Sequence, residues 1–168
     1  MLRMIPIFVL LASCSMLPSH LKTKVDSSSI AAKNQIDAIV KESGFTFDSL
    51  QKETGSKGAG DNRIQEVKLK VIEVAEEFLG SMEEVIEALG TRGTEVQFLE
   101  VYSQILKVAE SLEKIGIQKA TVTVKQAVEG GEPTDPYGKI KNVHNKLLVK
   151  LQSVKQKQKL VNKKKDSE

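Results

Sequence analysis

A single cysteine, Cys14, stands among the 168 residues of this chain, so no disulfide framework can form within it and no metal site can be built on thiolates. Any folded domain must therefore be held by its apolar core. Tryptophan is absent and aromatic residues make up only 4% of the sequence, too few for a sugar-stacking platform of the lectin kind. The two histidines, His20 and His144, are far apart. With one cysteine, they offer neither a Cys/His nucleophile pair nor a convincing metal site. Glu76-Glu77 and Glu83-Glu84 are sequence neighbours on helical stretches, where adjacent residues do not face each other. No glycine-rich phosphate loop follows a strand, because no convincing strand is present. These residues give no sign of an enzyme, and they call for no metal and no diffusible cofactor.

Long apolar runs are also missing. The chain opens Met1-Leu2-Arg3, continues Ile5-Pro6-Ile7-Phe8-Val9-Leu10-Leu11 and reaches Ala12-Ser13-Cys14. That run is far short of the about 20 apolar residues a bilayer span needs. A positive start, a short apolar stretch and small residues before a cleavage point form an export signal. Leu11-Ala12-Ser13-Cys14 has the form of a lipoprotein box, in which the thiol accepts diacylglycerol. Residues 1–13 are thus expected to be removed, leaving Cys14 with diacylglycerol and an N-acyl chain. Each buried methylene contributes about 0.8 kcal/mol, so several chains anchor durably. Residues 14–26 are polar and read as a lipidated tether.

What remains is rich in helical periodicity. Ile36, Ile39 and Val40 mark a first helix over about 27–42. Gly44 to Gly60 breaks the pattern and reads as a mobile connection with Phe45, Phe47 and Leu50 pinning its first half. From Asp61, the residues Ile64, Val67, Val71, Val74, Ala75, Phe78, Met82, Val85 and Leu89 form the stripe of a long helix. After Gly90 to Gly93, Thr94 can cap another, with Phe98, Val101, Tyr102, Ile105, Val108, Ala109, Leu112 and Ile115 as its stripe. A shorter helix over about 117–129 includes the locally strand-like Thr121-Val122-Thr123-Val124. Residues 130–136 are a loop, and a last helix spans about 137–161 on Ile140, Val143, Leu147, Leu151 and Val154. The expected fold is all-α: a five-helix bundle over 27–161, three helices long, with a basic tail at 162–168.

The net charge of +3 conceals an asymmetry. Between Lys139 and Lys165 there are ten lysines and no acid, whereas Asp61 to Glu132 holds fourteen acidic against eight basic residues. At 100° per residue, Lys139, Lys146, Lys150 and Lys157 fall within about 20° of one line, about 80° from the centre of that helix's apolar stripe. Lys68 occupies a comparable shoulder on the long middle helix, so neighbouring helices would flank a groove with lysines. Ammonium groups gathered in this way attract polyanions. Export removes nucleic acid from consideration, and the plentiful extracellular polyanions are sulfated glycosaminoglycans. With so few aromatics, recognition would be chiefly ionic.

Several segments carry a family resemblance: Lys52-Glu53-Thr54-Gly55-Ser56-Lys57, Glu66-Val67-Lys68-Leu69-Lys70, Val74-Ala75-Glu76-Glu77-Phe78, Phe98 with Tyr102, Leu112-Glu113-Lys114-Ile115-Gly116-Ile117-Gln118 and Lys150-Leu151-Gln152-Ser153-Val154. Over residues 27–165, the chain resembles the decorin-binding proteins, A-like or B-like surface lipoproteins of Lyme-disease spirochaetes. The resemblance implies a monomeric adhesin, lipid-anchored in the outer membrane at the cell surface. It would bind host decorin through dermatan sulfate or heparin-like chains. It also implies binding lysines on the second and last helices, Lys68 first and then Lys146 and Lys150; Lys70, Lys139 and Lys157 join the candidate set by their position on the same helices. Lys52 and Lys57 in the linker and Lys163, Lys164 and Lys165 in the tail would assist. The linker departs from denser basic clusters elsewhere in the family by placing Glu53 between its lysines. The alternative is a lipoprotein of the same fold that binds a host serum or matrix protein.

Overall fold

The computed structural model describes residues 16–52, 62–130 and 133–165, with side chains through residue 159. Six α-helices follow in order: α1 (Ser19–Ser43), α2 (Phe47–Lys52), α3 (Asn62–Leu89), α4 (Glu95–Lys114), α5 (Ala120–Glu129) and α6 (Pro136–Lys165). A 3-10 turn, Gly90–Arg92, joins α3 to α4. Among the described residues there is no strand, and no helix is long and apolar enough to cross a membrane.

The all-α fold matches expectation, and three departures have physical causes. First, α1 begins at Ser19, so residues 19–26 of the expected tether are helix. Leu21 and Val25 continue the spacing of Ala32, Ile36 and Val40, and all five are buried with Leu17. Two apolar residues among His20, Lys22 and Lys24 were too dilute a signal to extend the helix by sequence alone. Second, the expected connection over 44–60 contains α2. Thr46 and Ser49 exchange backbone-to-hydroxyl hydrogen bonds of 3.1 and 3.2 Å at its start, and Leu50 is fully buried. The bundle thus gains a sixth, very short helix, and four helices are long rather than three. Third, α6 continues to Lys165, so most of the expected tail is helical.

Local chemistry sets the ends. Gly44 takes φ 73° and its N–H reaches the Lys41 carbonyl, a left-handed C-cap that favours glycine. Thr94 and Gln97 form a capping box on α4. Replacing Thr94 by alanine is expected to cost about 1 kcal/mol, visible as a small downward shift in a circular-dichroism melt. At the other end of α4, Ile117 N–H donates to the Leu112 carbonyl and Gly116 N–H to that of Glu113. This is a Schellman turn, with Leu112 and Ile117 both buried. The Glu113 carboxylate accepts the Thr121 N–H at 3.0 Å and its hydroxyl at 2.7 Å. That contact holds the β-branched Thr121–Val124 segment in the first turn of α5. Pro136 opens α6, where its missing N–H costs nothing.

Ion pairs and hydrogen bonds give the directions. Lys22 with Glu100 and Asp26 with Gln104 run α1 parallel to α4. Lys141 with Glu87 and Lys155 with Glu76 run α6 antiparallel to α3. The N-termini of α1, α4 and α6 therefore share one end of the bundle. There the Gln97 amide donates to the Met16 carbonyl at 3.3 Å.

Candidate polyanion-binding face

The long α6 helix presents three faces. Ile140, Val143, Leu147 and Leu151 are buried in the core together with His144. His144 is only 4% exposed, and its Nε2 lies 3.1 Å from the Leu79 carbonyl of α3. A carbonyl only accepts, so Nε2 carries the proton in this contact. This side chain, read as bland from sequence, fixes the register of two helices.

On the flank toward α3, the lysines are engaged. Lys141 Nζ lies 3.0 Å from Glu87 and 3.1 Å from the Tyr137 hydroxyl, which itself donates to Glu87 at 3.2 Å. Those contacts, the Tyr137 hydroxyl first, hold the Lys141 ammonium well above its usual range. Lys141 in turn holds the Glu87 carboxyl below its ordinary 4.5. Lys155 bonds Glu76 at 2.6 Å with Glu73 at 3.8 Å, and the Glu76 contact raises its pKa. A depressed carboxyl contributes above its unfolded value and loses that contribution as pH falls through the folded value. A raised ammonium contributes below its unfolded value and loses it as pH rises through the folded one. Between about pH 5 and pH 10 the Lys141–Glu87 bridge is therefore complete and its charges are neutralised in place.

On the opposite flank, Lys139, Lys146, Lys150 and Lys157 form one line. None has an acidic partner within salt-bridge distance among the described residues. Lys146 and Lys157 are exposed, while Lys139 and Lys150 are half-buried. This flank faces α5: the Asn142 amide donates to the Ala127 carbonyl at 2.8 Å. Lys146 lines an open cleft between the two helices.

The other lysines singled out by sequence do not join this line. Lys68 is only 2% exposed. It lies between Ile64, Val71 and Ile72 on the buried face of α3, which is broad because α1 and α6 both pack on this helix. It is not a groove-flanking shoulder, contrary to expectation. Lys68 precedes Glu73 by five residues, which puts it level with α6 about five residues past Lys155. That is about 15 Å along the axis from Lys150, with Lys157 the nearest in height of the four aligned lysines. Lys70 is exposed beside a separate cleft of about 330 Å3 lined by Ile39, Glu42, Phe45, Arg63 and Glu66, apart from the α6 line. Lys52 is exposed at the end of α2. Cys14 and Lys57 lie outside the described residues. Lys163, Lys164 and Lys165 fall in the last turn of α6, beyond the described side chains. Tyr102, expected to be packing, is half-buried and stacks on Phe98 at 5.8 Å.

Comparison with known proteins agrees with the earlier resemblance. The family model described as decorin binding protein matches residues 20–168. Decorin-binding protein A of Borreliella burgdorferi (strain B31) is 34% identical over 162 residues, covering 94% of this chain and 84% of that protein. Decorin-binding protein B of strain N40 is 36% identical over 120 residues, covering 68% of this chain and 64% of the relative. With a family match across most of its length, and a bundle whose α6 carries the unpaired lysine line, this chain belongs to the decorin-binding protein family.

Proposed function

We propose that this protein is a surface adhesin that binds decorin through its sulfated glycosaminoglycan chains, using the α5-side flank of α6. The observation that carries this reading is the sorting of lysines on one helix. Lys141 and Lys155 are matched to glutamates, while Lys139, Lys146, Lys150 and Lys157 are left unmatched in a line. Repulsion among unmatched ammonium groups destabilises the free domain slightly, and a bound polyanion relieves it. The names of the relatives supply the partner; the chemistry supplies the part of the partner that is touched. Sulfates and carboxylates meet the ammonium groups and release counterions. Lys157, followed by Lys163, Lys164 and Lys165 in sequence, would prolong the contact toward the C-terminal end of α6.

The protein would act as a monomer, held in the outer membrane by lipid on Cys14 and displayed at the cell surface. The lipoprotein box Leu11-Ala12-Ser13-Cys14 is the support for that anchor. Labelled palmitate should enter the parent and be absent from Cys14→Ser.

The adhesin reading is tested by binding of the purified chain to immobilised decorin and to dermatan sulfate across a salt series. With about four lysine–anion contacts, affinity is expected to fall about 100-fold between 50 and 200 mM salt. Binding to decorin should vanish once its polysaccharide is removed enzymatically. Salt-insensitive binding to the stripped core would instead establish recognition of a protein surface.

A further inference from the structure

The cleft between α5 and α6 has a volume of about 320 Å3 and is lined by Thr123, Gln126, Ala127, Gly130, Asn142 and Lys146. Its chemistry is more specific than a cationic surface requires. Lys146 supplies an unmatched ammonium. The Gln126 side chain is exposed and has no hydrogen-bond partner among the described residues, so its amide offers both a donor and an acceptor. Because the Asn142 Nδ2 is committed to the Ala127 carbonyl at 2.8 Å, its Oδ1 remains as an acceptor. The Thr123 hydroxyl donates to the Lys119 carbonyl at 2.7 Å, which leaves its oxygen able to accept. One cation, one amide and two further acceptors do not describe a site for a bare sulfate, which offers no donor to the acceptors. They suit an anionic group that also carries hydroxyls. The volume sits at the small end of the about 300–1,000 Å3 typical of small-molecule sites, room for one or two sugar rings.

We infer that this cleft seats a hexuronate unit of the bound polysaccharide. Its carboxylate lies against Lys146 and the Gln126 amide N–H, and its ring hydroxyls donate to Thr123 and Asn142. This rests on the glycosaminoglycan reading above and adds a sugar-specific component to it. Flanking sulfates meet Lys139 and Lys150, which lie about 10 and 6 Å along the axis from Lys146. Lys119, four residues before Thr123, stands at the height of Lys150, because α5 and α6 are antiparallel about the Ala127–Asn142 contact. The seat thus opens at that end between two further ammonium groups. Lys119 is also the one non-glycine with positive φ, 62°, among the described residues.

The test compares two probes on the purified chain: dermatan sulfate, which contains hexuronate, and dextran sulfate, which is sulfated but has none. A Thr123→Val, Gln126→Ala double variant keeps every lysine. It is expected to lose about tenfold in affinity for dermatan sulfate, to stay within twofold for dextran sulfate, and to keep the parent's salt dependence. Gln126→Ala alone, at an exposed helical position, guards against misfolding and should show the same selective loss at smaller size. No loss on dermatan sulfate, or an equal loss on both probes, would overturn the seat while leaving the ionic reading intact. A parent that binds dextran sulfate but not dermatan sulfate, or neither, would overturn both.

Discussion

Replacing Lys146, Lys150 and Lys157 together by alanine is expected to weaken dermatan sulfate binding about 100-fold at 150 mM salt, with no loss of helicity. Each lysine–anion contact with a highly charged chain contributes about 1 kcal/mol at that salt through counterion release, and 1.4 kcal/mol is a factor of ten. The slope of log affinity against log salt should flatten by about three. The informative comparison removes charge from the other side of the same helix. Lys141→Ala with Lys155→Ala deletes two lysines from the same acid-free segment, so an account based on total charge predicts nearly as large a loss. Glu87, Glu76 and Glu73 already neutralise them, and the expected change is under threefold. Surface plasmon resonance across a salt series on all three proteins separates the accounts. Equal losses in both variants would show that position on α6 is irrelevant.

Lys68→Ala should act first on stability. The side chain is 2% exposed on the broad buried face of α3, so truncation removes about three methylenes from a packed interior, costing about 2–3 kcal/mol. For a domain of this size, that corresponds to a fall in Tm of about 6–10 °C. Lys68→Met keeps the volume of the stem without the charge, and its melt should fall between those of Lys68→Ala and the parent. Measured well below either Tm, affinity for dermatan sulfate should fall less in Lys68→Met than in Lys146→Ala. If Lys68→Ala melts like the parent and loses affinity as Lys146→Ala does, the side chain faces solvent and the polysaccharide directly. The resemblance to known family members puts Lys68 in the binding set, and burial gives it a different duty: supporting the inside of α3.

How legible each part was depended on how far apart in sequence its components lie. The stripes of α3 and α4 repeat over many turns, and a period of 3.6 needs no knowledge of neighbours. The first turns of α1 were hidden because Leu21 and Val25 make sense only against the helices that cover them. The lysine line on α6 could be found from angles within a single helix. Its sorting could not, because the glutamates that quench Lys141 and Lys155 lie 54 and 79 residues away. Lys68 failed for the same reason: a shoulder angle measured on an isolated helix ignores a second neighbour that closes over it. The cleft lined by Thr123, Gln126 and Asn142 had no signature, since its polar residues are ordinary on each helix and become a site only when α5 lies along α6.

The hydrogen bond from Gln97 to the Met16 carbonyl has a mechanical consequence. Met16 is two residues from Cys14 in sequence, so a lipid placed there would leave little slack between the bilayer and the bundle. Tension from a polysaccharide held on α6 would reach the membrane through α3 and α4 into α1. Because α1, α4 and α6 start at the end where such a lipid would sit, a pull directed away from the cell would lie along the helix axes. The load slides packed helices past one another, engaging the whole buried stripe from Leu21 to Val40 at once, instead of peeling α1 away turn by turn. A bundle anchored at its base in this way would be suited to bearing drag as well as to capture.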